Sequence, residues 1–205
     1  MAKVGGHTFV GKYRGNLEQQ MEHLACFSGG MFALGAKTRE THANTSAEFS
    51  LAAALTETCR ESYRQMASGL GPEKFTFRGD GTILPDSGSG ASYFLRPEYA
   101  ESLFYMWRFT HDSKYRSWGW DMVNALVKHC KARAGFSGVT NVASTKTGYN
   151  DQQESYFFAE TLKYLFLLFA DDAALDLNEW VFNTEAHPLR KFTPEPWMST
   201  VLSEM

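Results

Sequence analysis

Two segments of the chain resemble each other, and their spacing limits the possible folds more than any other feature of the sequence. AESLFYMWRFTHD begins at Ala100 and AETLKYLFLLFAD begins at Ala159, so an acid, a leucine, a tyrosine and a final aspartate recur 59 residues later (159 − 100 = 59). Both segments carry apolar residues with the period of an α-helix. A repeat of this length predicts a helix pair as the repeating unit, and stacked helix pairs form solenoids or closed toroids.

The repeat also predicts where acidic side chains meet. Glu101 and Glu160 hold the same position in successive units, so both side chains should point to one place, which in a toroid is the axis. Five predicted helices are too few to close such a ring. We therefore expect an all-α fold that is part of a larger α/α toroid, with short β hairpins or strands between its helices.

Helical periodicity places the five helices over about 16–36, 46–69, 97–112 and 114–134, and from Asp151 onward. The pair Gly29-Gly30 predicts that another backbone lies close to the first helix. The remaining segments are predicted as a polar loop over 37–47, a small strand or hairpin followed by a loop over 75–92, and an extended C-terminal segment that Pro188 interrupts.

The composition is globular and argues against several partners. The 205 residues are 43% apolar and 15% aromatic, which is ample for a packed core. A net charge of −3 provides no basic surface, so we expect no nucleic-acid partner. No apolar run is long enough to span a bilayer, and the first residues do not resemble a signal peptide. The protein is therefore either cytosolic, or the chain starts in the middle of something longer.

The cysteines leave the redox compartment open. Cys26, Cys59 and Cys130 are three, so at least one thiol lacks a partner within the chain, and no CxxC spacing suggests structural zinc. One disulfide with one buried thiol would suit a secreted protein, and three buried thiols would suit a cytosolic one. Asn44 begins a tripeptide that matches the N-glycosylation pattern, although such matches often arise by chance.

Arg96-Pro97-Glu98 predicts the start of the third helix, because proline at the first helical position gives up an amide that would have no partner there. Glu98 and Glu101 then lie on one face near the positive end of the helix dipole. Acids are favourable there without any functional role. This stretch alone therefore allows two interpretations, ordinary helix-stabilising acids or part of a site.

Candidate site residues are the converging acids and their polar neighbours. Carboxylates held together do not all stay ionised unless a cation or an arginine compensates them. Calcium is the simplest such cation because it takes oxygen ligands, although no EF-hand loop is present. The alternatives are a buried structural role for the histidine, and core packing rather than sugar stacking for nearby aromatic residues. The candidates are Glu98, Glu101, Glu154, Glu160, Glu185, His23, Arg96 and Thr184.

Four segments resemble one enzyme family, in that family's order: HLACFSGGMFALGA from His23, YFLRPEYAESLFYMWRFTHD from Tyr93, QQESYFFAETLKYLFLLF from Gln152 and FNTEAHPLR from Phe182. The resemblance is to the C-terminal part of the class I α-1,2-mannosidases, glycoside hydrolase family 47. The first segment is closer to the Golgi type than to the endoplasmic-reticulum type. The resemblance makes 1–190 the C-terminal portion of the family's catalytic domain and 191–205 a C-terminal tail.

The resemblance implies an (α/α)7 barrel that removes terminal α-1,2-linked mannose from high-mannose N-glycans, with inversion and bound calcium. It implies that Glu98 activates water as general base and that Thr184 binds calcium through its hydroxyl and carbonyl oxygens. Cys26 and Cys59 resemble the family's disulfide pair, which leaves Cys130 free and implies the oxidising secretory pathway. The residues implied in binding the sugar, or the waters on calcium, are Arg96, His23, Glu101, Glu160, Glu185 and Phe157 or its neighbour Tyr156.

The sequence departs from the family in what it lacks. An inverting glycosidase needs a second carboxyl group to protonate the leaving oxygen, and the family's general acid lies in an N-terminal half to which nothing here corresponds. The family's cytoplasmic tail, membrane anchor and stem are also absent. We therefore expect a portion of a type II membrane protein of the Golgi or endoplasmic-reticulum lumen that exposes a long apolar face and is inactive alone.

Two other functions are weighed against this one. A non-catalytic relative, like the family branch associated with glycoprotein degradation, would bind glycans without cleaving them. An unrelated helical scaffold requires all the motif matches to be coincidence. The presence of Arg96, Glu98 and Thr184 together favours an enzyme ancestor.

Overall fold

A computed structural model describes residues 1–38 and 45–192 of the chain. This part is mainly helical with short strands, as predicted. A 3₁₀ helix over His23–Phe27 precedes the first α-helix, and a π-helical segment over Phe157–Leu162 runs directly into the last. The α-helices are α1 (Ser28–Thr38), α2 (Thr45–Arg64), α3 (Glu98–Thr110), α4 (Ser113–His129) and α5 (Lys163–Phe169).

Short antiparallel strands connect the helices, and one three-stranded sheet has the order β3-β4-β5. The other strands pair as hairpins, and Pro188 begins the last strand rather than interrupting one. The strands are β1 (Ala2–Val4), β2 (His7–Phe9), β3 (Gln20–Glu22), β4 (Lys74–Phe77), β5 (Ile83–Pro85), β6 (Lys131–Ala132), β7 (Gly135–Phe136), β8 (Trp180–Phe182) and β9 (Pro188–Arg190).

Two helices begin later than predicted because of pairing with distant segments. Residues 16–22 are not helical, since Met21 of β3 pairs with Phe75 of β4. The segment after Asp151 is not helical before Phe157, since the Gly138 amide donates to the Gln152 carbonyl. Two predicted ends are also too late. α2 ends at Arg64, and α4 ends at His129, after which the β6–β7 hairpin begins.

The start of α3 is as predicted to within one residue. Pro97 is the N-cap residue and Glu98 is the first residue of the helix. α3 packs against α1, α2, α4 and α5, so its side chains are buried on several faces. Leu103 and Phe104 have no exposed surface. The acids of its first turns are consequently held by the most enclosed helix of the described chain.

The predicted close approach at Gly29-Gly30 is present where α1 crosses α2 and α3. A Cβ atom on Gly29 would lie 2.2 Å from Thr56 Oγ1. The Gly30 amide donates to Ser102 Oγ at 2.8 Å. A Cβ atom on Gly30 would lie 2.8 Å from Tyr105 Cδ2, so neither position leaves room for a side chain.

Replacing Gly29 by Ala is therefore expected to lower the free energy of unfolding by about 2 kcal/mol, because the added methyl group overpacks a tight helix crossing. Urea denaturation measures the change. Gly35→Ala is the matched control in the same helix, since a Cβ there meets no atom of the described residues within 4 Å. The control should stabilise the chain by about 0.5–1 kcal/mol through helix propensity. Equal effects of the two substitutions would contradict the close packing.

An apolar groove of about 500 Å³ lies between α4 and α5, in agreement with the expected exposed apolar face. Trp120 and Phe166, on its rim, are 56% and 69% exposed. None of the described helices combines the length and apolar character needed to cross a membrane. Asn44 and most of the tail, from 193 onward, lie outside the described residues.

Candidate active site

A cleft of about 380 Å³ opens at the N-terminal end of α3 and brings together acids from three parts of the chain. Glu98 and Glu101 come from α3, Glu160 from the π-helical segment, and Glu185 from the β8–β9 turn. The cleft is lined by Leu24, Phe27, Pro97, Glu98, Glu101, Tyr156, Glu160, Thr184 and Glu185. The convergence of Glu101 and Glu160 predicted from the repeat is therefore present.

Glu98 is held by positive or polar groups on both oxygens. His23 Nδ1 lies 2.7 Å from one carboxylate oxygen, and Arg96 Nη1 lies 3.6 Å from the other. Burial raises the pKa of Glu98, but the hydrogen bond and charge of His23, with Arg96, outweigh it and leave the pKa below its ordinary value. At neutral pH this carboxyl group is ionised and can accept a proton.

His23 lies behind Glu98 and away from the cleft. Its side chain has no exposed surface, and its second ring nitrogen, Nε2, is 2.7 Å from the Tyr63 hydroxyl. With both nitrogens engaged by protein groups, the ring supports Glu98 and is not among the cleft-lining residues. A direct contact between His23 and the sugar stays a prediction.

Arg96 is aimed by Glu73, a residue that the sequence reasoning missed. Glu73 Oε2 accepts from Arg96 Nε at 2.5 Å, and Oε1 accepts from the Phe94 amide at 3.0 Å. Glu73 is 9% exposed, so the pair is well shielded. No periodic pattern surrounds Glu73; its only signal is an acid directly after the Gly71-Pro72 turn.

Burial and the charges of neighbouring carboxylates raise the pKa values of Glu101 and Glu160. Burial, then the charges of Glu160 and Glu98, raise the pKa of Glu101 to about 8. Burial, then the charges of Glu185 and Glu98, raise the pKa of Glu160 to about 7. The cations of the cleft therefore do not compensate the ionised forms of these two acids, which keep their protons to a higher pH than usual.

The π-helical segment is tied to the chain that precedes α3, which is why Glu160 reaches Glu98. Thr161 Oγ1 donates to the Leu95 carbonyl at 2.7 Å, and the Tyr156 hydroxyl donates to the Phe94 carbonyl at 2.7 Å. Tyr156 lines the cleft, whereas its neighbour Phe157 is fully buried and packs against Phe136 on the side of the α4–α5 groove. Of the two aromatic candidates, Tyr156 therefore lines the cleft and Phe157 does not.

Thr184 and Glu185 are exposed residues of the β8–β9 turn at the cleft. Asn183 Oδ1 shapes the turn by accepting from the amides of Glu185 and His187 at 3.0 and 2.9 Å. Lys163 Nζ of α5 donates to the Ala186 carbonyl at 2.7 Å. These bonds fix the turn against α5. Glu154, another candidate acid, is not among the cleft-lining residues.

The disulfide between Cys26 and Cys59 is present, with a Cα–Cα distance of 5.9 Å, and Cys130 is a buried free thiol. These three states agree with the pairing implied by the resemblance. Cys26 follows His23 by three residues, and Cys59 precedes Tyr63 by four. The bridge therefore joins the two segments that carry the His23–Tyr63 hydrogen bond.

Comparison with known proteins identifies the fold that carries this cleft. The model of glycosyl hydrolase family 47 matches residues 2–191. The chain belongs to this family. A solved structure of the family, the alpha-1,2-mannosidase from Trichoderma reesei, superposes with a TM-score of 0.79 at 34% identity over 90% of this chain and 42% of that one.

Family 47 relatives are also close in sequence. The chain is 51% identical over 187 residues to the human mannosyl-oligosaccharide 1,2-alpha-mannosidase IB and 50% identical over 186 residues to mannosyl-oligosaccharide alpha-1,2-mannosidase IA of Drosophila melanogaster. Each match covers 90% of this chain but only 29% and 28% of the relative. The chain thus spans less than a third of the length of these curated relatives.

Proposed function

We propose that this chain is the base-bearing portion of an α-1,2-mannosidase that hydrolyses terminal α-1,2-linked mannose residues of high-mannose N-glycans with inversion. The observation that carries the proposal is the ionised Glu98 carboxylate, fixed between His23 and Arg96 at an acid-lined cleft. The family 47 match over almost the whole described chain supports the substrate class.

In this mechanism Glu98 takes a proton from a water molecule as the water oxygen attacks the anomeric carbon. The bond to the leaving sugar breaks on the opposite face, and its oxygen needs a proton from a second carboxyl group. Arg96, oriented by Glu73, is available to hold a sugar hydroxyl beside the reacting centre. We propose that a carboxyl group from another part of the catalytic domain supplies this proton.

We further propose that calcium binds in the cleft. Raised pKa values of Glu101 and Glu160 mark uncompensated negative charge, and the oxygen-only donor set suits a hard cation. In the described part of the chain, no three His, Cys, Asp or Glu side chains are grouped to hold a metal directly. As the family resemblance implies, the Thr184 oxygens would be the direct ligands, with Glu101, Glu160 and Glu185 acting through water. Bound calcium would supply positive charge for orienting sugar hydroxyls.

Replacing Thr184 by Val should weaken calcium binding at least about tenfold, because the variant loses an oxygen ligand while keeping a similar shape. Isothermal titration calorimetry with calcium alone measures the affinity. Thr38→Val, at the end of α1 and outside the cleft, is the control and should bind as the unmodified chain does. An unchanged affinity in the Thr184 variant would remove it from the ligand set.

The α4–α5 groove supports an incomplete barrel. Its exposed aromatic residues are typical of a helix-packing surface, and the described helices match only 42% of the Trichoderma reesei chain. We propose that further helices complete an (α/α)7 barrel over this groove and bring the general acid. The Cys26–Cys59 disulfide supports a site of action in the Golgi or endoplasmic-reticulum lumen, with the membrane anchor of a type II protein outside this chain.

The function is tested by assaying mannose release from a high-mannose glycan. The chain alone should release none. A chimera that joins it to the preceding part of the human 1,2-alpha-mannosidase IB should release mannose, and a calcium chelator should abolish the release. Turnover by the chain alone would contradict the incomplete-site proposal. Glycan binding by the chimera without cleavage would favour a non-catalytic glycan-binding protein.

A further inference from the structure

Tyr63, near the C-terminal end of α2, contacts the candidate base through one intervening side chain. Its hydroxyl lies 2.7 Å from His23 Nε2, and His23 Nδ1 lies 2.7 Å from the Glu98 carboxylate. Tyr63, His23 and Glu98 are 1%, 0% and 6% exposed. Water is thus excluded from nearly all of this hydrogen-bonded row of three side chains. Each of them must find its hydrogen bonds among protein groups.

The chemistry of the three groups fixes the orientation of the histidine. An ionised carboxylate only accepts hydrogen bonds, so the proton between His23 and Glu98 must sit on Nδ1. If the ring were turned over by about 180°, carbon atoms would face both partners. In that orientation the Tyr63 hydroxyl and the Glu98 carboxylate would each lose their hydrogen bond to the ring. This disfavours it, since a buried polar group without a partner is costly.

From this geometry we propose that Tyr63 is a positioning residue for Glu98. It holds the His23 ring with its Nδ1–H aimed at the carboxylate, and so fixes the carboxylate against the cleft. The relay is the same kind of arrangement that sets the tautomer of other functional histidines, in which the partner of one nitrogen decides the state of the other. The importance of Glu98 rests on the proposed function, but the positioning itself does not.

The Tyr63 ring is rigidly seated, as a positioning residue requires. It lies against Tyr99 with ring centroids 4.5 Å apart, and a Cβ on Gly71 would meet its Cε2 atom at 2.2 Å. Cys59, one helical turn earlier, is bonded to Cys26. Burial also raises the pKa of the Tyr63 phenol well above its ordinary value, so the hydroxyl keeps its proton.

The test compares Tyr63→Phe with Tyr99→Phe in chains labelled with ¹⁵N-histidine. Tyr99 is the matched control because its buried hydroxyl has no hydrogen-bond partner among residues 1–38 and 45–192, while its ring packs on that of Tyr63. NMR should show a slowly exchanging Nδ1–H on His23 in the unmodified chain and in Tyr99→Phe. In Tyr63→Phe, Glu98 still accepts from Nδ1–H but the ring is no longer held at Nε2, so the proton should exchange with solvent too fast to be observed, and the Nε2 resonance should shift. Absence of the signal in His23→Gln assigns it to His23.

The melting temperature separates this signature from misfolding. Tyr63→Phe should melt within about 4 °C of the unmodified chain, because only one buried hydrogen bond is lost. An unchanged Nδ1–H signal in Tyr63→Phe, or an equal loss in Tyr99→Phe, would overturn the positioning role. If Tyr63→Phe does not fold, Tyr63→Leu provides a second variant without a hydrogen-bonding group at this position, and retention of the Nδ1–H signal there would also overturn it.

A second readout separates this proposal from the proposed function. In the active chimera, Tyr63→Phe should lower kcat about tenfold with little change in KM, since the sugar contacts remain. The NMR signature is measured without substrate. Loss of the signal in a chimera that never releases mannose would reject the mannosidase and keep the positioning role. An active chimera whose Tyr63→Phe variant keeps both signal and kcat would reject the positioning role alone.

Discussion

Glu98→Gln is expected to lower mannose release by the chimera at least about 100-fold, because the amide cannot take the proton from the attacking water. The substitution preserves the size of the side chain, and its carbonyl oxygen still accepts from His23 Nδ1 at the 2.7 Å contact. Substrate binding should therefore change little. The measurement is the initial rate of mannose release over a range of glycan concentrations, so that kcat and KM are obtained separately.

Glu154→Gln is the control for this result. Glu154 was a candidate acid from the sequence, but it lies outside the cleft-lining set. Its variant should keep the rate within a factor of about two. A Glu98→Gln chimera that turns over at the unmodified rate would show that another group activates the water, and the structure would then direct attention to Glu101 or Glu160.

The parts of the fold that the sequence predicted are those with local physical causes. Proline is tolerated at the start of a helix but not in its interior. Pro97 therefore disfavours an earlier start, and α3 begins at Glu98. Gly29 and Gly30 lie at the crossing of α1 with α2 and α3 because only glycine fits there. The acids of the repeat converge because α3 and the π-helical segment place equivalent residues at the same end.

The parts that escaped prediction depend on partners distant in sequence. Nothing within 16–22 shows that Met21 will pair with Phe75, so a helical pattern was extended through a strand. For the same reason, the sequence does not reveal the roles of Glu73 and Tyr63. Glu73 contacts Arg96 and Tyr63 contacts His23, and neither contact leaves a period or spacing in the sequence. The motifs point to Glu98, whereas Glu73 and Tyr63 are recognised only from their contacts in the structure.

The raised pKa of Glu101 should make the free energy of unfolding depend on pH. Glu101 has a pKa of about 8 in the folded chain, above its ordinary value of 4.5. Between these values the folded state holds a proton that the unfolded state has released. Its contribution to stability is therefore fully present below about pH 4.5 and is lost as the pH rises toward about 8.

Glu101→Gln should consequently stabilise the calcium-free chain at pH 8.5, by about 3 kcal/mol, and change little at pH 5. The glutamine cannot ionise, so it avoids placing a further negative charge beside Glu160 and Glu98. Urea denaturation at both pH values, in the presence of a chelator, measures the difference. Glu57→Gln, at an exposed position of α2, is the control and should show no such dependence on pH.

Calcium should reverse the order of stability of the unmodified chain and Glu101→Gln. A cation that binds the folded state stabilises it by mass action, and the unmodified cleft offers it one more carboxylate than the variant does. Saturating calcium should thus raise the unfolding midpoint of the unmodified chain at pH 8.5 and raise that of Glu101→Gln much less. If Glu101→Gln destabilises the calcium-free chain at pH 8.5, the carboxylate is compensated within the protein, and the charge argument for a cation in this cleft fails.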